Sequence, residues 1–283
     1  MAERFGGFWE IGLKSPIVGR VEKPRENGLT MVIDKGLGIN SLNDFLELNS
    51  QYIDFHKLSF GTSLIYPMEV LKKKISIIKD SGVDVYPGGT LFEIAFIQNK
   101  LEKYLFRAKE LGFTAIEISD GTISFPSKLR AEAIAMAKSL EFIVLTEVGK
   151  KDKNDSLSLD EMLEQINFDL SAGSDFVIIE ARESGKDVSI YSEDGSADLE
   201  SLEKIMLAVG ESKEKIIWES PLKKQQVLLI ERLGANVNLG NIQVEDVFAL
   251  ESLRRGLRGD TFKATLDKEL LKENVVEDTR GVL

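Results

Sequence analysis

Residues 143–150 read Ile-Val-Leu-Thr-Glu-Val-Gly-Lys, and this stretch shows the pattern that decides the fold of the 283-residue chain. A short apolar run ends in charged residues beside a glycine, which suits a strand buried on both faces of a parallel sheet. Similar runs end in charged residues at Asp34, Lys57, Glu117, Glu180 and Glu219. Charge at strand ends is costly to bury unless it is paired or used, and closed parallel barrels carry their active sites at the carboxyl ends of their strands. The pattern therefore predicts an enzyme.

Strand-like and helix-like segments alternate eight times along the chain, which is the number that closes a (β/α)8 barrel. The predicted strands are Thr30–Gly36, Phe55–Gly61, Asp84–Pro87, Ala115–Asp120, Phe142–Val148, Phe176–Ala181, Lys215–Glu219 and Asn236–Leu239. The predicted helices are Ser41–Gln51, Pro67–Asp80, Thr90–Leu111, Pro126–Leu140, Ser158–Ala172, Asp198–Val209, Pro221–Leu233 and Val244–Leu257. An open doubly wound sheet is the alternative, but it usually carries a GxGxxG loop after its first strand, and this sequence has none. We predict a single (β/α)8 TIM barrel over residues 1–262 and a C-terminal tail over residues 263–283.

Composition and charge restrict the partners and the compartment. The net charge of −11 argues against a nucleic-acid partner, because phosphate binding needs a basic face. The chain has no cysteine, which fits a reducing cytoplasm. No run approaches the roughly 18 apolar residues of a membrane span, and Met1 to Glu10 lack the features of a signal peptide. We expect a cytoplasmic protein that binds neither nucleic acid nor membrane and that forms a homo-oligomer, as barrels of this kind commonly do.

Alternation along each strand predicts which side chains face the barrel interior. Glu117 and Ser119 share one face of their strand, and Glu180 and Arg182 share one face of theirs. Glu147 precedes Gly149, which could leave room for a ligand or for the lysine that follows. Several carboxylates would therefore converge at the mouth of the barrel.

This set of side chains favours a hard, oxygen-ligated cation such as Mg²⁺, because the chain has no cysteine and a single histidine. The predicted metal ligands are Glu117, Glu147 and Glu180. The alternative is that these acids only pair with cations such as Lys35, Lys57 and Arg182. His56 alternates with Lys57 and would face the helix layer, which favours a structural role for it.

Polar residues and glycines near the strand ends supply candidates for substrate binding. Gly240 and Asn241 follow the eighth predicted strand, where barrels often bind phosphate. The predicted substrate-binding residues are Asp34, Ser119, Ser220, Asn238, Gly240 and Asn241. Lys23 and Arg25 precede the first strand, so we place them at the opposite face and outside the site.

Several ordered motifs run through the chain from about Phe8 to Phe262. They are Lys23 to Arg25 with Gly28 to Thr30, Asp34 to Leu37, Tyr86 to Glu93, Ile116 to Gly121, Leu145 to Lys151, Val177 to Gly185 and Leu253 to Asp260. Together they closely resemble the phosphosulfolactate synthase family. The resemblance implies a barrel that adds sulfite to phosphoenolpyruvate with Mg²⁺, giving (2R)-2-phospho-3-sulfolactate through an enediolate-like intermediate. It leaves open whether the product leads to coenzyme M, as in methanogenic archaea, or to sulfolactate, as for bacterial relatives.

The reaction that the resemblance implies suggests roles for the basic residues. Lys35, Lys57 and Arg182 would offset the repulsion between two anionic reactants. We predict Lys150 as the proton donor, because it follows Gly149 at a strand end and its long side chain would reach the barrel axis. Two alternatives stay open, a non-catalytic relative of the plant heat-stress-associated branch and an aldolase-like enzyme with a Schiff base at Lys150. The intact strand-end residues favour the sulfite-adding enzyme.

Overall fold

Strands and helices alternate around a ring in the computed structural model, which describes residues 13–151, 157–263 and 265. The strands are β1 (Thr30–Asp34), β2 (Phe55–Leu58), β3 (Asp84–Pro87), β4 (Ala115–Ile118), β5 (Ile143–Val148), β6 (Phe176–Ile179), β7 (Ile216–Glu219) and β8 (Asn238–Gln243). The helices are α1 (Ile39–Asn49), α2 (Met68–Asp80), α3 (Gly89–Ile97), α4 (Leu101–Leu111), α5 (Ser127–Ser139), α6 (Leu159–Ala172), α7 (Leu199–Val209), α8 (Lys223–Leu233) and α9 (Val247–Arg254). All strand pairs are parallel, in the order β3-β2-β1-β8-β7-β6-β5-β4. The predicted single (β/α)8 barrel is confirmed.

The barrel interior consists of an apolar layer below a charged layer. The apolar layer contains Leu29, Met31, Phe55, Tyr86, Ala115, Leu145, Ile178 and Ile217. The charged layer contains Lys57, Glu117, Glu147, Glu180 and Glu219, which are also buried. Each charged residue follows an apolar interior residue by two positions, because side chains two apart on a strand share a face. The intervening residues, such as Ile116 and Trp218, pack outward against the helices.

Local sequence signals explain most of the helix boundaries. Gly112 and Gly173 end α4 and α6 in the left-handed conformation, which glycine adopts without steric cost. Ser158 begins α6 with a capping box. The prediction of a single helix over Thr90–Leu111 is wrong, because two helices, α3 and α4, occupy this segment. Asn99 lies between them with a φ of 54°, which interrupts the right-handed helix.

The junction of β3 and β4 closes the ring without a ladder of backbone pairs among the described residues. Thr114 N donates to Val85 O over 3.1 Å, and Val85 N donates to Thr114 Oγ1 over 2.9 Å. At the mouth, Gly89 N donates to Glu117 Oε1 over 2.6 Å. Side chains therefore provide part of the closure of the barrel.

Two sequence-based expectations concern the ends of the chain and membranes. The predicted tail lies outside the described residues except for positions 263 and 265, so its boundary stays a prediction. Within the described ranges, no helix combines the length and the apolar character that crossing a bilayer requires.

Candidate active site

Lys57 lies at the centre of the charged layer. Its Nζ is 2.9 Å from Glu117 Oε2, 3.4 Å from Glu219 Oε1 and 3.7 Å from Glu147 Oε2. Burial alone would lower the pKa of Lys57, but the Glu117 and Glu219 carboxylates outweigh it and raise that pKa well above its usual value. Lys57 is therefore a fixed ammonium ion at neutral pH.

A second ammonium group reaches the same cluster from the loop after β5. Lys151 Nζ lies 3.4 Å from Glu147 Oε1, 3.7 Å from Glu93 Oε1 and 3.9 Å from Glu180 Oε2. Glu93 comes from α3, so the cluster draws on a helix as well as on strand ends. Burial would lower the pKa of Lys151, but Glu147 and Glu180 outweigh it and raise that pKa. Five carboxylates thus face two ammonium groups.

The buried glutamates differ in their affinity for protons. Burial raises the pKa of Glu117 to about 7, against the opposing effect of Lys57. Burial and the Glu147 carboxylate raise the pKa of Glu180 well above its usual value. Burial acts on Glu147 in the same sense, but its two lysine neighbours outweigh it and hold the pKa of Glu147 below its usual value. Carboxylates this close repel one another, so a further cation would stabilise them.

Three of the glutamates fit a divalent cation. Glu147, Glu180 and Glu219 each offer one carboxylate oxygen, and these three atoms lie within 4.8 Å of one another. Within the described part of the chain, Glu180 Oε2 accepts no hydrogen bond. Hard carboxylate oxygens are the ligands that Mg²⁺ prefers. This grouping contains Glu219 in place of Glu117 from the predicted trio.

Backbone amides and one hydroxyl orient the carboxylates. Ala181 N donates to Glu219 Oε2 over 3.0 Å, and Gly89 N donates to Glu117. Ser119 Oγ lies 2.7 Å from both Glu93 Oε1 and Glu147 Oε1. Because a hydroxyl has one proton, Ser119 donates to one of these carboxylates at a time. The site is therefore largely organised before any ligand binds.

The cluster lines a cavity of about 290 Å³ at the mouth of the barrel. Its walls include Ser59, Phe60, Gly88 to Thr90, Arg182 and Asn241. A larger cavity of about 850 Å³ lies at the opposite end, where Lys23 and Arg25 are found. Arg25 is paired there with Asp54 over 2.7 Å. The charged cluster belongs to the smaller cavity, which is therefore the candidate active site, and Lys23 and Arg25 lie at the opposite end as expected.

Most of the predicted site residues come together at this mouth. Those in or around the cavity are Lys57, Glu117, Ser119, Glu147, Glu180, Arg182, Gly240 and Asn241. Arg182 has a φ of 60°, a left-handed conformation that costs free energy for a non-glycine residue. Its carbonyl oxygen accepts a hydrogen bond from Asn241 Nδ2. A Cβ at Gly240 would lie 2.7 Å from Met31 Cε and 3.1 Å from Ile217 Cγ2, so a larger residue would require these buried side chains to move. Their assigned roles stay predictions.

Asp34 was expected at the substrate and instead points into the layer between barrel and helices. It is fully buried and accepts bonds from His56 Nε2 at 3.1 Å and from Lys74 Nζ at 2.7 Å. Its other oxygen accepts from the amides of Gly36 and Leu37. It is an outward residue of β1, so alternation directs it away from the interior. His56 also faces the helix layer, as expected.

Lys150 does not reach the barrel axis, which corrects the expected position of the proton donor. Its Nζ donates to Asp120 Oδ2 at 2.7 Å, to Asp120 O at 2.6 Å and to Ile123 O at 3.0 Å. Because an ammonium group has three donors, these contacts use all of them. The same contacts disfavour a Schiff base at Lys150. The positive φ of Gly149, 129°, turns the chain so that Lys151 points inward.

Three further predicted residues lie away from the carboxylate cluster. Lys35 is half exposed at the rim and pairs with Glu183. Asn238 begins β8, and its side chain bonds to Leu29 N and to the carbonyls of Glu214 and Ile216. Ser220 follows the interior residue Glu219, so its side chain takes the outward direction. These placements do not support direct roles for Asn238 and Ser220 at the mouth.

Sequence reasoning left three members of the cluster out of the predicted site. Glu219 was visible as a strand-end acid with the same parity as Glu117, Glu147 and Glu180, and that parity could have identified it. The sequence does not show which of Lys150 and Lys151 points into the barrel, because both lie beyond the end of β5, where alternation no longer applies. Glu93 lies on a helix, and no strand pattern marks it.

Comparisons with known proteins find relatives that match most of the chain. The family described as (2R)-phospho-3-sulfolactate synthase (ComA) matches residues 18–260. Phosphosulfolactate synthase of Methanocaldococcus jannaschii is 47% identical over 239 residues, which cover 84% of this chain and 94% of the relative. Phosphosulfolactate synthase of Bacillus subtilis is 39% identical over 255 residues, which cover 89% and 98%. The Protein HEAT-STRESS-ASSOCIATED 32 of Arabidopsis thaliana is 24% identical over 261 residues, which cover 83% and 88%.

A solved structure adds a likeness of fold. The YdjI aldolase from Escherichia coli K12 matches with a TM-score of 0.53 and 11% identity, covering 86% of this chain and 90% of that one. At this identity the likeness concerns the barrel alone. The sequence matches, by contrast, extend over most of the chain. This chain therefore belongs to the (2R)-phospho-3-sulfolactate synthase (ComA) family and is an enzyme of the lyase type.

Proposed function

We propose that the chain catalyses the Mg²⁺-dependent addition of sulfite to phosphoenolpyruvate, giving (2R)-2-phospho-3-sulfolactate. The observation that carries the proposal is the buried cluster in which Lys57 and Lys151 face Glu117, Glu147, Glu180 and Glu219. Membership of the family supports the choice of reactants. The cluster also argues against the non-catalytic alternative, because so many buried charges are costly to maintain without a ligand to use them.

Glu147, Glu180 and Glu219 would hold the Mg²⁺ ion, as their converging oxygens suggest. Bound there, the ion would stabilise negative charge that develops on the substrate carboxylate. Glu117 would stay outside this set, because its oxygens are not among the three that converge within 4.8 Å of one another. The carboxylates would otherwise repel the reactants, so the cation and the two lysines together make the mouth able to accept anions.

The chain's own cations would bring two anionic reactants together. The sulfur lone pair of sulfite attacks the methylene carbon of phosphoenolpyruvate, and a carbon–sulfur bond forms. The electrons of the carbon–carbon double bond move into the carboxylate, giving an enediolate-like anion. Lys57, Lys151 and Arg182 all border the cavity and would offset the repulsion between the reactants. Ordered contacts around these side chains would fix the geometry of attack.

The carbon next to the carboxylate must then take up a proton. Lys151 is the better placed lysine, because Lys150 uses its three donors on Asp120 and Ile123. Lys151 is protonated at neutral pH, as a proton donor requires, although the carboxylates that raise its pKa also make it a weaker acid. Delivery from one fixed side would set the configuration of the new stereocentre. We therefore propose Lys151 as the proton donor in place of Lys150.

The experiment is a direct assay of purified protein with phosphoenolpyruvate, sulfite and Mg²⁺, followed by ³¹P NMR. We expect phosphoenolpyruvate to disappear only when sulfite and Mg²⁺ are both present, with a new phosphate ester and no released phosphate. Lys151→Met should lower kcat by about two to four orders of magnitude, the scale of general acid–base groups. Phosphoenolpyruvate consumption that does not depend on sulfite would refute the proposed reaction.

A further inference from the structure

We propose that Lys150 and Asp120 are positioning residues that aim Lys151 and Glu147 into the site, through a chain of alternating charges that ends at Asp169. The proposal rests on the proposed function for its effect on turnover. It assigns different tasks to two adjacent lysines, because Lys151 enters the carboxylate cluster whereas Lys150 turns away from it. The charge chain consists of four side chains, which are Lys150, Asp120, Arg130 and Asp169 in order of contact.

At the outer end of the charge chain, the ion pair between Lys150 and Asp120 connects two loops. Lys150 lies in the loop after β5, and Asp120 lies in the loop after β4. Lys150 Nζ bonds to the Asp120 carboxylate and to the carbonyls of Asp120 and Ile123, so it holds one loop by three points of the other. The side chain of Lys150 is only 16% exposed. Solvent therefore screens this pair less than an ordinary surface ion pair.

The inner end of the charge chain is anchored in the helix layer. Arg130, on α5, is fully buried and contacts Asp120 Oδ1 over 3.2 Å. Its Nε and one terminal nitrogen donate to the two oxygens of Asp169 over 2.7 and 2.6 Å, a bidentate pair. The same terminal nitrogen donates to the carbonyl of Glu147 over 3.0 Å. Arg130 thus binds both the backbone carbonyl of Glu147 and the side chain of Asp120, which is the partner of Lys150.

Lys151 packs against the loop after β4, which the Lys150–Asp120 ion pair holds in place. Its backbone N donates to Gly121 O over 2.8 Å. A Cβ at Gly121 would lie 3.0 to 3.1 Å from Cγ, Cδ and Cε of Lys151, so the lysine stem lies against the bare glycine backbone. The position of Lys151 Nζ therefore depends on where Gly121 sits. Because Asp120 precedes Gly121, releasing Asp120 from Lys150 would shift the surface that supports Lys151.

The first test compares steady-state kinetics of Lys150→Met, Asp120→Asn and the double variant. We expect kcat to fall about 10- to 100-fold in each single variant, since a misplacement of about 1 Å costs on that order. The KM for phosphoenolpyruvate should change less than about threefold, and the double variant should be no worse than the worse single variant. Lys150→Arg, which keeps the cation, should recover part of kcat. A raised KM with unchanged kcat would overturn the proposal, since Lys150 would then bind substrate.

The second test does not depend on turnover. A short pulse of acetylating reagent, followed by peptide mass spectrometry, reports how accessible Lys151 is. We expect Lys151 to be acetylated several times faster in Lys150→Met and in Asp120→Asn than in the parent chain. Lys138→Met is the matched control, because it removes an exposed ion pair with Asp175 far from the mouth and should change neither kcat nor labelling.

The two tests separate this proposal from the proposed function. If the parent chain shows no sulfite-dependent turnover, the proposed function fails, and the labelling of Lys151 still decides whether Lys150 positions it. If Lys150→Met and Asp120→Asn leave the labelling of Lys151 at the parent rate, the positioning role is refuted whatever the kinetics show.

Discussion

Replacement of Lys74 by methionine should destabilise the barrel although the residue never touches the site. Lys74 lies on α2 with no exposed surface. Its Nζ donates to Asp34 Oδ2 at 2.7 Å, to Leu37 O at 2.6 Å and to Tyr66 OH at 3.1 Å. These three bonds connect the helix to the end of β1 and to the loops after β1 and β2. Methionine keeps most of the apolar stem and removes only the charge and the donors.

The size of the effect follows from what Asp34 loses. Breaking a buried ion pair by removing one partner costs about 3–5 kcal/mol. Asp34 keeps the amides of Gly36 and Leu37 and the ring of His56, so the lower end, about 3 kcal/mol, is expected. At about 2 °C per kcal/mol for a large domain, the melting temperature should fall by about 6 °C.

Urea unfolding followed by circular dichroism at pH 7 measures this loss. Lys72→Met is the matched control on the same helix, because Lys72 is half exposed and forms a surface ion pair with Glu69 at 3.6 Å. That variant should change the free energy of unfolding by less than about 1 kcal/mol. A loss below about 1 kcal/mol for Lys74→Met would refute the view that the Asp34 pair is a major anchor.

The same pair predicts a pH dependence. Burial would raise the pKa of Asp34, but bonds from His56 and Lys74 outweigh it and lower that pKa well below its usual value. A carboxylate with a depressed folded-state pKa stabilises the fold above its unfolded pKa of about 3.9, and this contribution is lost as the pH falls further. The stability difference between the parent chain and Asp34→Asn should therefore be full at pH 7 and shrink below about pH 4. A difference that stays constant from pH 7 to pH 3.5 would contradict this reasoning.

The remaining predictions concern the mouth of the barrel. Mg²⁺ at about 100 times its dissociation constant should raise the free energy of unfolding by about 2.7 kcal/mol, and chelation should reverse the rise. Glu219→Gln should weaken this Mg²⁺ response in a thermal shift titration, whereas Glu117→Gln should retain most of it; equal losses would argue against the ligand set. Gly89→Ala would place a Cβ 2.5 Å from Glu117 Oε1 and 2.5 Å from Ser119 Cβ. It should cost about 1–3 kcal/mol of stability and lower kcat, and a crystal structure with unmoved neighbours would contradict this.

Alternation within strands made the barrel and most of its charged layer predictable from the sequence. Glu117, Glu147 and Glu180 lie where a period of two places them, two positions beyond an apolar interior residue. The method fails where the strand ends, because parity then loses its meaning. Gly149, with a φ of 129°, reverses the expected order of Lys150 and Lys151.

Partners that come from distant helices were beyond sequence reasoning. Lys74 and Arg130 resemble ordinary polar positions on amphipathic helices, yet both are fully buried. Their burial is possible because Asp34 and Asp169 neutralise them, and those contacts join residues about 40 positions apart. The position of Asp34 at a strand end predicts a site residue. Its parity, one position before Lys35 and on the outward face of β1, indicates the helix layer instead.

At the junction between β3 and β4, Glu117 belongs to the charged cluster and also helps to close the barrel. Glu117 Oε1 accepts the amide of Gly89 across the gap that backbone pairing leaves open at the mouth. A substitution at position 117 that removes this oxygen acceptor also removes a bond that helps to close the barrel at its least paired joint. Position 117 is therefore constrained both by its ion pair with Lys57 and by the closure of the barrel.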